Sequence, residues 1–354
     1  STLNKVRNHR WARDGIFEQI MNNIVRQCID AGLVSGRHVA VDGTKIHANA
    51  AIKSLEPIVV DVAVDEYLEH LHLKTTGTTD TGGTHPEDKD FHGTKLSNAT
   101  HRSSSDPDAR LYRKSKGQEA SLSYIGNDLI DTKSRVILAT KVIQPGVATE
   151  SDAALAMLDT LTDSGLPLSI ETLTADTGYG STDFIGAVFD RGITPHIPLL
   201  AGSGYEPEPT WKRKTNNPAT YLKRQQKITD VQIRNAARYV AKTGAYRLSQ
   251  KLRKRAEHIF AEAKQWHGFD RARYRGLQAV QQQAHLTAFA QNVKRLASHC
   301  HRRMAKAAAS LSGIVSSRVI RPSIRCICTV IEFTTHVQDH FALTLDGLPV
   351  SIRF

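Results

Sequence analysis

Two short apolar runs that each end on an aspartate constrain this chain more than any other feature. His38-Val39-Ala40-Val41-Asp42-Gly43-Thr44-Lys45-Ile46 and Leu173-Thr174-Ala175-Asp176 read as buried strands, each with a short apolar run that leads directly into a carboxylate. Ahead of the first, Phe17, Ile20, Met21, Ile24, Val25, Cys28 and Ile29 recur at three- and four-residue steps. They predict an amphipathic helix that Gly32 closes. Leu122 to Ile130 and Arg135 to Val142, joined through Asp131-Thr132-Lys133-Ser134, predict an antiparallel hairpin. Ala153, Ala154, Leu155, Met157 and Leu158 predict a helix, and so do Phe184, Ala187 and Val188. Ile193 to Leu199 reads as a strand that Pro195 and Pro198 demote to a sheet edge. The order strand, hairpin, helix, strand, helix, strand, helix describes a mixed α/β domain.

Bulk properties narrow the partners. With 354 residues, 40% of them apolar, the chain can bury a large core. A formal charge of +12 favours a polyanionic partner such as nucleic acid or an acidic membrane surface. No run approaches the roughly 20 apolar residues of a membrane span, and the N-terminus lacks the apolar centre of a signal peptide. Four cysteines, Cys28, Cys300, Cys326 and Cys328, form neither a disulfide framework nor a zinc-ligand spacing. The expectation is a soluble protein of a reducing cytoplasm, with no membrane partner.

The chemistry-bearing residues lie on three separated segments. From about Tyr246 to Trp266, Leu248, Leu252, Ala256, Ile259, Phe260 and Ala263 form a helical apolar stripe. Glu257 lies four positions after Arg253 and seven before Lys264, so the three share one face beside that stripe. Alone, Arg253 and Glu257 would be an ordinary surface ion pair, and Asp42 and Asp176 ordinary strand-end turn residues. Brought together, three carboxylates repel one another unless metal occupies the site. Hard ions such as Mg²⁺ take oxygen ligands. Two of them about 3.5–4 Å apart supply an activated nucleophile, a stabilised leaving oxygen and charge neutralisation at phosphorus.

Val41-Asp42-Gly43-Thr44-Lys45-Ile46, Ala175-Asp176-Thr177-Gly178-Tyr179-Gly180-Ser181 and the Arg253, Glu257, Lys264 helix together resemble the bacterial insertion-sequence DDE transposases. Asp106-Pro107-Asp108-Ala109-Arg110 and Tyr274-Arg275-Gly276-Leu277 are also similar to that family, and the likeness spans about residues 1 to 298. The family's helix pattern, Tyr-x2-Arg-x3-Glu-x6-Lys, is matched at its last three places. Its tyrosine place holds Gln250, with Tyr246 one turn earlier on the same face. The resemblance implies a ribonuclease-H-like fold, a mixed sheet flanked by helices, with acids on the first strand, near the fourth and on a late helix. It implies Asp42, Asp176 and Glu257 as catalytic residues and metal ligands, with Mg²⁺ or Mn²⁺ as two ions. Arg253 and Lys264 would contact DNA phosphates. The activity implied is cleavage at transposon ends and strand transfer into target DNA, by a homo-oligomer acting beside the bacterial nucleoid. The alternative is a catalytically inactive DNA-binding remnant or regulator.

The expected organisation is a helical segment over 1–36, a catalytic domain over 37–298 and a C-terminal tail of unclear role over 299–354. Within the domain, about 74–105 reads as a flexible insertion, because Thr, Gly, Ser, His and Asp there bury little. His70, His72, His85, His92 and His101 then belong to a solvated loop rather than a metal site. About 201–245 reads as a basic insertion, surface or phosphate-tracking, with Lys212, Arg213, Lys214, Lys223, Arg224, Lys227, Arg234 and Arg238. Among rival acids, Asp128 and Asp131 are expected to serve the hairpin turn, Asp183 a helix N-cap, and Glu262 lies off the Glu257 face. In the tail, Ile324 to Ile331 and Phe341 to Val350 read as strands, and Cys326 and Cys328 are too few for zinc. The opening Ser1, with no initiator methionine, fits a fragment or processed product.

Overall fold

A computed structural model describes residues 14–58 and 96–314, apart from 114, 116, 201 and 203, together with 6 and 11. The chain divides into two compact units, Ser1–Cys300 and His301–Phe354. The tail strands, Cys326, Cys328 and His70, His72, His85 and His92 lie outside the described residues.

The first unit opens with helix α1 (Ile16–Asp30), whose buried Phe17, Met21, Ile24, Val25 and Cys28 form the expected stripe. After it, Gly32 adopts φ 71° and donates its N–H to Ile29, a left-handed stop that a side chain would strain. Strand β1 (His38–His47) follows. A short 3₁₀ turn leads to β2 (Leu55–Pro57), which pairs with β3 (His101–Ser103) in a small separate sheet. The region expected to be flexible is therefore ordered at its end, where Asn98 accepts from the Leu111 N–H and donates to its carbonyl.

β4 (Arg110–Tyr112), β5 (Ser121–Asp131) and β6 (Ile137–Ile143) come next, then helix α2 (Glu150–Asp163), β7 (Thr172–Thr174), α3 (Thr182–Asp190) and β8 (Thr194–His196). The main sheet runs β4-β5-β1-β7-β8, with β6 also on β5. β1 is antiparallel to β5 and parallel to β7, and β7 is parallel to β8. This is a mixed sheet, and β8 takes the edge position that its Pro195 favours. Three helices complete the described residues: α4 (Pro218–Ala241), α5 (Gly244–His267) and α6 (Leu277–Ile314). One core joins α1, β1, β5, β6, α2, β7, α3, α5 and α6 through residues such as Val25, Val41, Leu129, Leu158, Leu173, Ile259 and Ala288.

Polar groups lock α6 in place. Asn292, fully buried, accepts from the Ile137 N–H at 2.9 Å and donates to the Ile137 carbonyl at 2.8 Å. The start of the helix is held by the two remaining family-like segments. Asp106 accepts from the Gly276 N–H at 3.0 Å and from the Tyr124 hydroxyl at 2.7 Å, and Asp108 from the Leu277 N–H at 2.9 Å. Carboxylates at a helix N-terminus satisfy free N–H groups and complement its dipole.

The basic insertion is more tightly built than composition suggests. Glu206 bridges Arg234 and the buried Arg238 of α4, and those hydrogen bonds hold its carboxyl low, at about 2. Arg224 instead stacks over Trp211 at 5.2 Å.

Asp106→Ala should lower stability to chemical denaturation by about 2–4 kcal/mol, because it strands the Tyr124 hydroxyl and the Gly276 N–H. His285 supplies a pH test. Burial first, and the nearby Lys141 charge second, push its imidazole down to about 4. A depressed histidine favours the neutral form in the fold, so its contribution is complete above the ordinary value near 6.5. It is lost as pH falls from there towards 4, by roughly 3 kcal/mol. Stability measured at pH 7 and pH 4 should therefore differ less in His285→Gln than in the wild type.

Candidate active site

Strand pairing brings the first two acids level with each other. In the parallel pair, Val39 lies beside Leu173 and Ala40 beside Thr174. Two residues further along each chain stand Asp42 and Asp176. Val39 and Val41 are fully buried, as are Leu173 and Ala175, so core packing fixes the backbone before each acid. Asp176 stands past the end of β7, whereas Asp42 is no strand-end residue, because β1 continues to His47 in its pairing with β5. Each carboxylate is also held locally: Asp42 accepts from the Gly43 N–H at 2.9 Å. Asp176 accepts from the Gly178 N–H at 2.8 Å and caps the 3₁₀ turn Thr177–Tyr179.

The third acid arrives on α5, which packs against β1, β7 and β8. Thr243 caps its start and Gly268, at φ 62°, ends it. Its apolar stripe is buried at Ala256, Ile259, Phe260 and Ala263, whereas Leu248 is exposed. Glu257 is exposed and Arg253 half-buried, and the Arg253 Nε is buried without a hydrogen-bond partner. Gln250, in the family's tyrosine place, donates to the Thr174 hydroxyl at 3.2 Å and to the His196 carbonyl. It pins α5 to β7 and β8. Tyr246 is engaged elsewhere, edge-on to His196 at 5.8 Å.

Electrostatics link the three acids. Burial raises the Asp42 carboxyl above its ordinary value and the Gly43 N–H opposes that rise. The negative charge of Asp176 raises it further, Arg253 lowers it and Glu257 raises it. Asp42 thus senses both other acids and the cation of the helix. The donors are all oxygens, the chemistry a hard divalent ion requires. Among the described residues, no three His, Cys, Asp or Glu side chains stand close enough to grip one ion together. Lys264 lies where its charge, with those of Lys45 and Arg271, reaches His47 at the end of β1, and helps burial to lower that imidazole.

Several side acids differ from expectation. Asp128 does not serve the hairpin turn: it stands within β5 opposite Asp42. Complete burial pushes its carboxyl up to about 7, the Thr140 hydroxyl opposing and the Asp42 charge adding to the rise. A charged group inside a strand is unfavourable there, which is why sequence pattern alone assigns it to the turn. Asp131 does hold that turn, through the Ser134 N–H and hydroxyl. Ser181 rather than Asp183 caps α3, and Glu262 is paired with Lys294 and Arg295. Sequence reasoning missed Glu150. The only signal there was a helix start, the capping box of Thr149 and Asp152. In the fold its Oε2 accepts from the Tyr179 hydroxyl at 3.2 Å and covers Gly43.

The family model of the transposase DDE domain matches residues 35–293. The chain belongs to the DDE transposase family. Among solved structures it is similar to the Mos1 mariner paired-end complex with Mn, at 9% identity and a TM-score of 0.23, over 70% of this chain and 63% of that one. The Mos1 strand transfer complex gives 10% identity and a TM-score of 0.23, over 71% and 63%. The Mos1 paired-end complex with left transposon end gives 10% and 0.22, over 70% and 63%. This DDE transposase chain thus spans about 63% of the length of the structures it matches, and no curated protein matches it by sequence.

A methyl group at Gly43 would overlap the Glu150 carboxylate and press on Asn127 at 2.9 Å. Gly43→Ala should therefore cost about 1–3 kcal/mol in chemical denaturation, and the cost should shrink when Glu150→Ala accompanies it.

Proposed function

We propose that this chain is a DNA transposase that cleaves at transposon ends and transfers the strands into target DNA, with Asp42, Asp176 and Glu257 as its catalytic acids. One observation carries the reading: the parallel register of β1 and β7 sets Asp42, inside β1, level with Asp176 just past the end of β7, and the helix that carries Glu257 packs against both strands. The acids would hold Mg²⁺ or Mn²⁺ as a pair of ions, which when bound activate a hydroxyl nucleophile and neutralise charge at phosphorus. The buried strands set Asp42 and Asp176, and the pinned helix presents Glu257 from the side. Arg253, with an unpartnered buried Nε, is suited to a phosphate oxygen, and Lys264 to the backbone near the end of β1. Transposon-end and target DNA are the partners, and two ends brought together call for a homo-oligomer. No helix among the described residues is long and apolar enough to cross a membrane.

A second reading, a catalytically inactive DNA-binding remnant, is favoured by the absence, among the described residues, of an acid trio close enough to hold one ion. The two readings separate when the protein is incubated with DNA bearing element ends in Mg²⁺, Mn²⁺ or EDTA. Transposase activity gives metal-dependent nicking and joining. Asp42→Asn, Asp176→Asn and Glu257→Gln each lower it at least about 100-fold while end binding persists. End binding without cleavage under any divalent ion selects the remnant.

A further inference from the structure

Behind β1, on the α2 side, two oxygen atoms crowd the same face of Gly43. Asn127 lies opposite Gly43 in the antiparallel pair of β1 and β5, and both face away from the Asp42 side chain, because successive strand residues alternate faces. Where a methyl on Gly43 would sit, the Glu150 Oε2 and the Asn127 Oδ1 are its nearest neighbours. Asn127 is fully buried, and its amide nitrogen donates to the Lys141 carbonyl at 3.2 Å. A carbonyl only accepts, so that bond fixes which way the amide points. The Oδ1 is thereby turned towards Glu150, where it is buried with no hydrogen-bond partner. A buried acceptor left unpaired costs about 1–3 kcal/mol, and here it faces a carboxylate, a second acceptor.

We infer that Glu150 and Asn127 form a site for a hard divalent cation, Mg²⁺ or Mn²⁺, separate from the three catalytic acids. One carboxylate oxygen and one amide oxygen are ligands such an ion accepts, and Mg²⁺ characteristically keeps several waters beside one or two protein carboxylates. The ion would tie together β1, β5 and the start of α2. Through the Tyr179 hydroxyl on Glu150 it would also steady the turn that follows Asp176. Its role is to position the middle of β1 and the turn after β7.

The test counts bound Mn²⁺ by electron paramagnetic resonance on the full chain carrying Asp42→Asn, Asp176→Asn and Glu257→Gln together. One ion should remain in that background, and Mn²⁺ should raise the melting temperature. Adding Glu150→Gln should weaken the remaining site at least about tenfold and abolish the melting shift. Asn127→Val supplies a second variant if Glu150→Gln fails to fold, with the same expected loss. No ion in the triple variant, or affinity unchanged by both further substitutions, overturns the inference. In the latter case the two oxygens share a proton or a water instead. Mn²⁺ lost between wild type and triple variant reports on the catalytic acids alone, so either reading can fail without the other.

Discussion

The short parallel pairing of β1 with β7 is the constraint on which the rest of this structure depends. Three residue pairs, His38 with Thr172, Val39 with Leu173 and Ala40 with Thr174, align two strands far apart in sequence. Parallel strands need a long crossover connection, and here the hairpin and α2 supply it. Because both strands run the same way, the positions two residues beyond the last pair, Asp42 inside β1 and Asp176 past the end of β7, come level with each other. Had β7 run antiparallel, Asp176 would stand at the opposite end from Asp42. The aliphatic residues before each aspartate are what make this alignment rigid, since Val39, Val41, Leu173 and Ala175 are all fully buried.

Charge management around Asp42 follows a consistent pattern. Asp42 and Asp128 face each other across β1 and β5, and burial lifts both carboxyls, the charge of Asp176 adding to the rise at Asp42 and that of Asp42 to the rise at Asp128. Cations are drawn in to offset this: Arg253 acts on Asp42 and Arg295 on Asp128. Arg295 is at the same time held by Glu262, so α5 and α6 are joined by the same ion pair that moderates the buried acid. Polar groups in the interior are few but bound to specific backbone atoms, as with Asn292 on Ile137. Such groups restrict how the helices can slide on the sheet.

Much of this was legible in the sequence, where local pattern and tertiary role agree. Short aliphatic runs predicted β1 and β7, periodicity predicted α1 and α5, and two prolines put β8 at an edge. β2, β3 and β4 are as short as β7 and β8 but lack an apolar run, so the ordered end of the insertion was missed. Asp128 was misplaced because an acid within a strand contradicts propensity, and only the fold shows the burial and the facing Asp42. Glu150 was invisible for a different reason. Its place over Gly43 arises from the packing of α2 on β5, a relation that no spacing along the chain encodes.

The tether between Glu206 and the pair Arg234 and Arg238 alters how the net charge of +12 ought to be weighed. Guanidinium groups already neutralised by a carboxylate displace no condensed counterions when a polyanion docks. The steepness with which affinity declines as salt is added reflects only the cations that meet phosphate. For the 201–245 stretch, that number is smaller than its tally of lysines and arginines, and the tethered pair serves as scaffold.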